Sequence, residues 1–263
     1  MDIFSGMILG VVQGATEFLP ISSSGHLILV RDVFHFSTEG GLAFDAVLQL
    51  ATALAVLVYF RNDFLELIRN FFRLLGRREV EPRMKTLLFA IILGTIPAAV
   101  FGLLLQDYME TTFRTPSFVG VTLLLGALLF FAAEKVATQS KQLTVRKGFA
   151  IGLFQSLALF PGTSRSGATI SGGLILGLTR EEAARFSFLL SFPIIFGSGL
   201  VKMLGLAGES APIDAGLVSG FLAAFLVGIV AIHYLLRYLK NHTLQVFIWY
   251  RVILALIVFL TLV

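Results

Sequence analysis

Cysteine is missing altogether from the 263 residues. That excludes disulfides, thiolate catalysis and thiolate-ligated metal, and it leaves the redox compartment unreadable. Charge is scarce too: Asp, Glu, Lys and Arg account for 14% of the chain, where a soluble domain carries about a quarter. With 57% hydrophobic residues and a mean hydropathy of +0.90, the composition argues against a soluble globular domain. It reads as a polytopic membrane protein whose apolar segments face lipid and one another. The N-terminus has neither a basic n-region nor an A-x-A-like cleavage site, so a removable signal peptide is not expected. Acidic residues are outnumbered, 16 to 20. The basic ones sit in short loops between apolar runs, where they set topology and meet anionic membrane lipid; nucleic acid is not an expected partner.

A helix needs about 20 apolar residues to cross the hydrocarbon core. Six stretches qualify: about 41–60, 86–105, 117–134, 183–204, 214–236 and 245–263. Two further regions, about 3–35 and 148–178, are apolar but interrupted near the middle by Pro, Gly and Ser. Each half of them is too short to span, so both read as re-entrant helix–loop–helix hairpins. The segment 61–85 holds seven Lys or Arg residues, and 134–147 and 237–242 are also basic. By contrast 106–116 has a single arginine and 205–214 has no basic residue. The positive-inside rule puts the first three in the cytoplasm and the last two outside. Residues 3–35 then dip in from the outside, and 148–178 from the inside.

Sliding the chain by 142 residues lays "GVVQGATEFLPISSSG" over "GLFQSLALFPGTSRSG". Gly10, Gln13, Phe18, Ser22, Ser24 and Gly25 match Gly152, Gln155, Phe160, Ser164, Ser166 and Gly167. Each half, about 1–140 and 141–263, thus contains one broken hairpin and three full spans. Three is odd, so the second half is inverted relative to the first. The expectation is an all-α membrane protein with an inverted-topology repeat, a single integral membrane domain over 1–263, whose two breaks meet near the midplane.

Backbone without helical hydrogen bonds survives at membrane depth only when buried in protein or lining a wet cavity. The tips "LPISSSGH" and "FPGTSRSGAT" therefore imply a polar cavity between the repeats. Arg165 cannot be neutralised, and an arginine at mid-helix depth costs about 2.5–3.5 kcal/mol even on the lenient insertion scale. An anionic partner is expected. A planar guanidinium beside Ser164 and Ser166, with Gly167 allowing close backbone approach and Thr169 one turn on, suits phosphate oxygens. In the first tip Gln13 and Glu17 share a helix face, offering oxygen ligands to Mg²⁺ or Ca²⁺. Pro20 stops that helix; Ser22, Ser23 and Ser24 supply hydroxyls, and His26 can exchange a proton near neutral pH. Metal, arginine and hydroxyls around one anion are the components of phosphoryl transfer.

The pair "QGATE…PISSSGH" and "PGTSRSGAT" closely resembles the two signature motifs of the bacterial undecaprenyl-diphosphate phosphatases, also called bacitracin-resistance proteins. The likeness continues through "FDAVLQLATALAVLVYFR" and "RFSFLLSFPIIFGSG" and covers essentially the whole chain. The resemblance implies hydrolysis of an isoprenyl diphosphate lipid to its monophosphate, recycling the carrier of cell-wall precursors. It also implies a divalent cation and a place in the bacterial cytoplasmic (inner) membrane, with the active site opening to the outer, periplasmic face. Carried across, Glu17 holds the metal with Gln13, which stands where many members have a second glutamate. Arg165 clamps the diphosphate with Ser164, Ser166, Gly167 and Thr169, while Ser22 and Ser24 line the site. Ser23, His26 and a water are the candidate attackers; we take Ser23, with His26 assisting. A homodimer is compatible with a membrane protein of this size.

Each of these residues also has a quieter reading. Glu17 and Arg165 could form a structural tie, the serines could be helix caps, and His26 could bond a backbone carbonyl. Gln155 reads as a packing and hydrogen-bonding residue. His35, His233 and His242 are expected to meet water, and Asp45 to lie at a solvated helix end. Glu181 and Glu182 read as an acidic first turn capped by Thr179, 61–85 as an interfacial amphipathic helix, and "GLAFDAVLQLATALA" as close helix packing. The rival function is an inverted-repeat secondary transporter or lipid flippase for an anionic substrate. Hydroxyls, arginine and histidine gathered on two tips weigh against it, since a transporter needs no nucleophile.

Overall fold

A computed structural model describes the chain except residues 35, 37–40, 112, 114, 140–141, 206–213 and 263. The described residues are helical, with no strand among them. They form eleven α-helices: α1 Ile3–Phe18, α2 Ser23–Phe34, α3 Gly41–Tyr59, α4 Arg61–Leu75, α5 Pro82–Thr111, α6 Pro116–Val136, α7 Val145–Ser156, α8 Arg165–Ile175, α9 Arg180–Gly205, α10 Ala215–Leu239 and α11 Gln245–Thr261. Four of them, α5, α6, α9 and α10, are long and apolar enough to cross a membrane, and α3 bends by 80° into α4 to make a fifth candidate. Of the six expected spans, five fall on these candidates; the sixth falls on α11, an apolar helix of 17 residues, short of the ~20 a crossing requires.

The two expected interruptions fall at 19–22, between α1 and α2, and at 157–164, between α7 and α8, where a short 3₁₀ turn Leu157–Leu159 precedes the loop. Pro20 explains the first. It has no N–H to give, and its ring pushes the preceding residue out of helical backbone; Leu19 accordingly sits at φ −62, ψ 139. The four helices flanking the breaks have 11 to 16 residues, each short of the ~20 needed to cross.

Lipid tails are as apolar as leucine, so helices in a bilayer associate through close packing rather than water expulsion. Small residues supply it here. A Cβ on Gly6 would stand 2.1 Å from Gly216 O and one on Gly10 2.2 Å from Gly220 O, so α1 lies directly against α10. Likewise a Cβ on Gly152 would stand 2.2 Å from Gly94 O, and α7 lies against α5. Gly6 and Gly148, and Gly10 and Gly152, are the pairs separated by 142 residues. Along α3, Ala46, Ala51, Ala53 and Ala55 are fully buried, as the small-residue pattern leads one to expect.

The basic segments gather at one end. Arg185 pairs with Asp63, Arg180 with Glu134, and Lys240 with Glu181, while Glu134 Oε1 also accepts from the amide of Leu244 at 2.7 Å. α4 lies at this end, with Leu65, Ile68, Phe72 and Leu75 exposed and Leu67 packed on Met84 and Leu88. Thr179 and Glu182 cap α9 reciprocally, the hydroxyl accepting from Glu182 N at 3.2 Å and donating to its carboxylate at 3.2 Å, as expected. His233 and His242 are exposed; His35 and most of 205–214 lie outside the described residues. Asp45 corrects the sequence reading. It is 7% exposed and accepts two hydrogen bonds from Arg31, at 2.9 and 2.6 Å. Arg31 in the last turn of α2 thus meets Asp45 near the start of α3, and a charge so enclosed needs a fork-shaped partner.

Candidate active site

Both breaks are turned by a serine in left-handed backbone, Ser22 at φ 76 and Ser164 at φ 72. Such a conformation costs roughly 1–3 kcal/mol outside glycine, and here it comes with a cap. Ser22 Oγ accepts from Gly25 N at 3.3 Å and Ser164 Oγ from Gly167 N at 3.2 Å, closing the first turns of α2 and α8. The two are 142 residues apart, at matching positions of the two similar stretches. Ser22 Oγ also accepts from Gly162 N at 3.1 Å, across to the other break. The capping reading therefore describes Ser22 and Ser164, both buried, while Ser24 is exposed.

The tips meet by direct hydrogen bonds. Glu17 Oε1 accepts from Arg165 Nη2 at 3.2 Å. Glu17 Oε2 accepts from Ser23 Oγ at 2.6 Å and from Gln13 Nε2 at 3.0 Å. Glu17 and Arg165 side chains are each 9% exposed. Ser166 Oγ donates to Leu19 O at 3.3 Å, and Thr169 Oγ1 lies 2.6 Å from Ser187 Oγ on α9. The residues expected at the site are thus gathered on two touching turns. The geometry differs from the reading at His26: Nδ1 is 2.7 Å from Ser22 O, which can only accept, so it carries the proton. In the neutral ring Nε2 then accepts from Tyr250 Oη at 2.6 Å. Ser23 Oγ donates to the Glu17 carboxylate, while His26 is held by Ser22 and Tyr250.

A family model described as bacitracin resistance protein BacA matches residues 6–257. The chain belongs to that family. Similar curated relatives carry the name undecaprenyl-diphosphatase. That of Desulforudis audaxviator is 43% identical over 98% of this chain and 97% of its own. That of Thermobifida fusca is 41% identical over 98% and 89%, and that of Idiomarina loihiensis 40% identical over 99% and 99%.

Within this BacA-family chain, three participants at the tips escaped the sequence reading: Ser187, Tyr250 and Arg251. Arg251 is fully buried, and its position inside the apolar run "WYRVILALIVFL" was the available signal, since an intramembrane arginine marks a function by default. Arg165 and Arg251 together outnumber Glu17, leaving positive charge at the tips, which favours an anionic ligand. Among the described residues no three His, Cys, Asp or Glu side chains converge as a closed metal site. The oxygens of Glu17, Gln13 and Ser23 fit instead a Mg²⁺-type ion that draws the rest of its shell from phosphate and water; Gln13 would turn its amide to present oxygen. Gln155, expected to hydrogen-bond, is buried with neither amide atom paired among the described residues. A cleft of about 570 Å³ at the basic end is lined by Asp63, Glu181, Arg185 and Lys240, and by none of the tip residues.

Proposed function

We propose that this chain is an integral membrane undecaprenyl-diphosphate phosphatase, converting the diphosphate and water to undecaprenyl phosphate and inorganic phosphate. In the cell this recycles the lipid carrier for cell-wall synthesis and gives bacitracin resistance. The observation that supports the reading is the contact of Glu17 with both Ser23 and Arg165, a carboxylate, a hydroxyl and a guanidinium within hydrogen-bond reach of one another. Family membership and the relatives' shared name support the substrate.

In the proposed reaction, Ser23 Oγ passes its proton to Glu17 Oε2 and attacks the terminal phosphorus. The bond from that phosphorus to the bridging oxygen breaks, and the lipid monophosphate leaves with the electron pair. Water then attacks the phosphoserine phosphorus and the P–Oγ bond breaks; Glu17 returns its proton to Ser23 Oγ, and inorganic phosphate leaves with the water's oxygen. Arg165 exchanges Glu17 for the phosphate oxygens, with Ser166 and Thr169 nearby. His26, held by Ser22 and Tyr250, orients the first turn of α2. A divalent cation held by Glu17 and Gln13, Mg²⁺ or Ca²⁺, would neutralise charge on the phosphoryl oxygens.

We further read the fold as an inverted repeat with re-entrant hairpins α1–α2 and α7–α8. Three observations support it: the matched left-handed serines, the glycine contacts 142 residues apart, and the short broken helices. The basic end faces the cytoplasm, the site opens to the outer face, and lipid or a second copy covers the exposed apolar faces. Purified protein with Mg²⁺ or Ca²⁺ is expected to release phosphate from undecaprenyl diphosphate. Arg165→Ala should abolish release and excess chelator silence it. Binding of the lipid without phosphate release under either cation would instead favour the transporter.

A further inference from the structure

The helix breaks free backbone carbonyls as well as amides, and these need donors inside the protein. Arg251 on α11 supplies them. It is 0% exposed, and none of the ion pairs among the described residues includes it. Its Nη2 donates to Gly162 O at 2.8 Å and to Thr122 O at 3.1 Å. Nε donates to Leu123 O at 3.1 Å, and Nη1 reaches Pro20 O at 3.5 Å. The guanidinium lies over the ring of Phe130, 4.9 Å from its centroid. One side chain thus grips a carbonyl from each break, Pro20 in the first and Gly162 in the second, and two from the facing helix α6.

The surroundings are shaped to admit that side chain. Gly162 has φ +96, and a Cβ there would meet Thr122 Oγ1 at 1.9 Å; that hydroxyl donates to Pro161 O at 2.5 Å. On α6 a Cβ at Gly126 would stand 2.0 Å from Arg251 Nη2. A guanidinium is suited to this work because its five N–H donors lie in one rigid plane, whereas lysine offers a mobile point charge.

We propose that Arg251 is a positioning residue for phosphoryl transfer. It clasps the two breaks to each other, holding Ser23 and Glu17 on one tip in register with Arg165 on the other. It touches neither reacting group. The proposal rests on the phosphatase reading, and its test separates the two. A misplacement of about 1 Å at a reacting centre can cost about 100-fold in rate.

Three full-length variants in detergent, Arg251→Lys, Gly126→Ala and the pair combined, are compared with wild type for kcat and KM on undecaprenyl diphosphate. Hydrogen exchange is followed over 19–25 and 160–167. Gly126→Ala is the decisive variant: alanine favours the helix, and its methyl would meet the Arg251 guanidinium at 2.0 Å, well before the next contact at Thr163 O, 3.1 Å away. Arg251→Lys is expected to lower kcat about 100-fold, on the scale of such a misplacement, with KM within about threefold. Gly126→Ala should lower kcat by at least about tenfold and raise exchange in both segments. In the Arg251→Lys background it should add less than about threefold, because both changes act through one group. Two results overturn the clasp: Gly126→Ala with wild-type kcat and exchange, or Gly126→Ala keeping its full effect in the combined variant. Wild type that releases no phosphate, while Gly126→Ala still loosens both segments, overturns the phosphatase reading and leaves the clasp standing.

Discussion

Glu17 serves three donors with two oxygens: Arg165 on one, Ser23 and Gln13 on the other. The carboxylate is therefore fixed in plane, as a base or metal ligand for a reaction at Ser23 must be. Glu17→Gln keeps the shape but loses the charge and basicity. It is expected to lower kcat by about 10²–10⁴, the usual range for a general base, in a phosphate-release assay. Retention of more than about a tenth of wild-type kcat, well outside that range, would remove Glu17 from the chemistry. Ser23→Ala should be comparably impaired, and if it is not, water rather than Ser23 attacks. At this scale the sequence was informative where a residue was out of place in lipid. Glu17, Arg165 and the serine cluster interrupt apolar runs and declare themselves. Arg251 satisfied the same criterion but sits in a run with no Pro or Gly beside it, so no break drew the eye. The partner of His26 was out of reach for another reason: Tyr250 is 224 residues away, and only tertiary packing brings it there.

At the scale of elements, the breaks were legible because Pro20 and the Gly–Ser tips have local causes that act through backbone chemistry alone. The bend between α3 and α4 was less so. The sequence marks a change from apolar to amphipathic near Arg61, yet the 80° angle comes from α4 laying Leu67 on Met84 and Leu88. Asp45 was misread because helix-end position alone does not tell burial; Arg31 had to be brought beside it. The glycine contacts give a test of how the broken helices are held. Gly152→Leu should wedge α7 from α5, where a Cβ alone would stand 2.2 Å from backbone oxygen. Overpacking of this kind costs typically about 1–3 kcal/mol and occasionally more, and thermal unfolding in detergent should show an earlier transition together with reduced activity. An unchanged transition would mean that α7 is free to move and that the close approach is not required.

For the molecule as a whole, orientation can be read directly because the chain has no native thiol. Arg78 lies beside the basic end and Ser117 at the start of α6, and both are exposed. With the basic end in the cytoplasm, a membrane-impermeant thiol reagent applied to intact cells should label Ser117→Cys and spare Arg78→Cys. The reverse pattern would invert the proposed topology and move the mouth of the site to the other compartment.

The pairing of α1 with α10, and of α7 with α5, has a consequence for biosynthesis. Each broken pair of helices leans on a helix far from it in the polypeptide, so the first pair is made before its support has been translated. Gly10 and Gly220 are separated by about 210 residues, which at about 5–20 residues per second is a delay of roughly 10–40 s. Throughout that interval the bare glycine stripe of α1 lacks α10, and for much of it the Glu17 carboxylate has Gln13 and Ser23 but not Arg165; a membrane-resident insertase or chaperone would be needed most during those seconds.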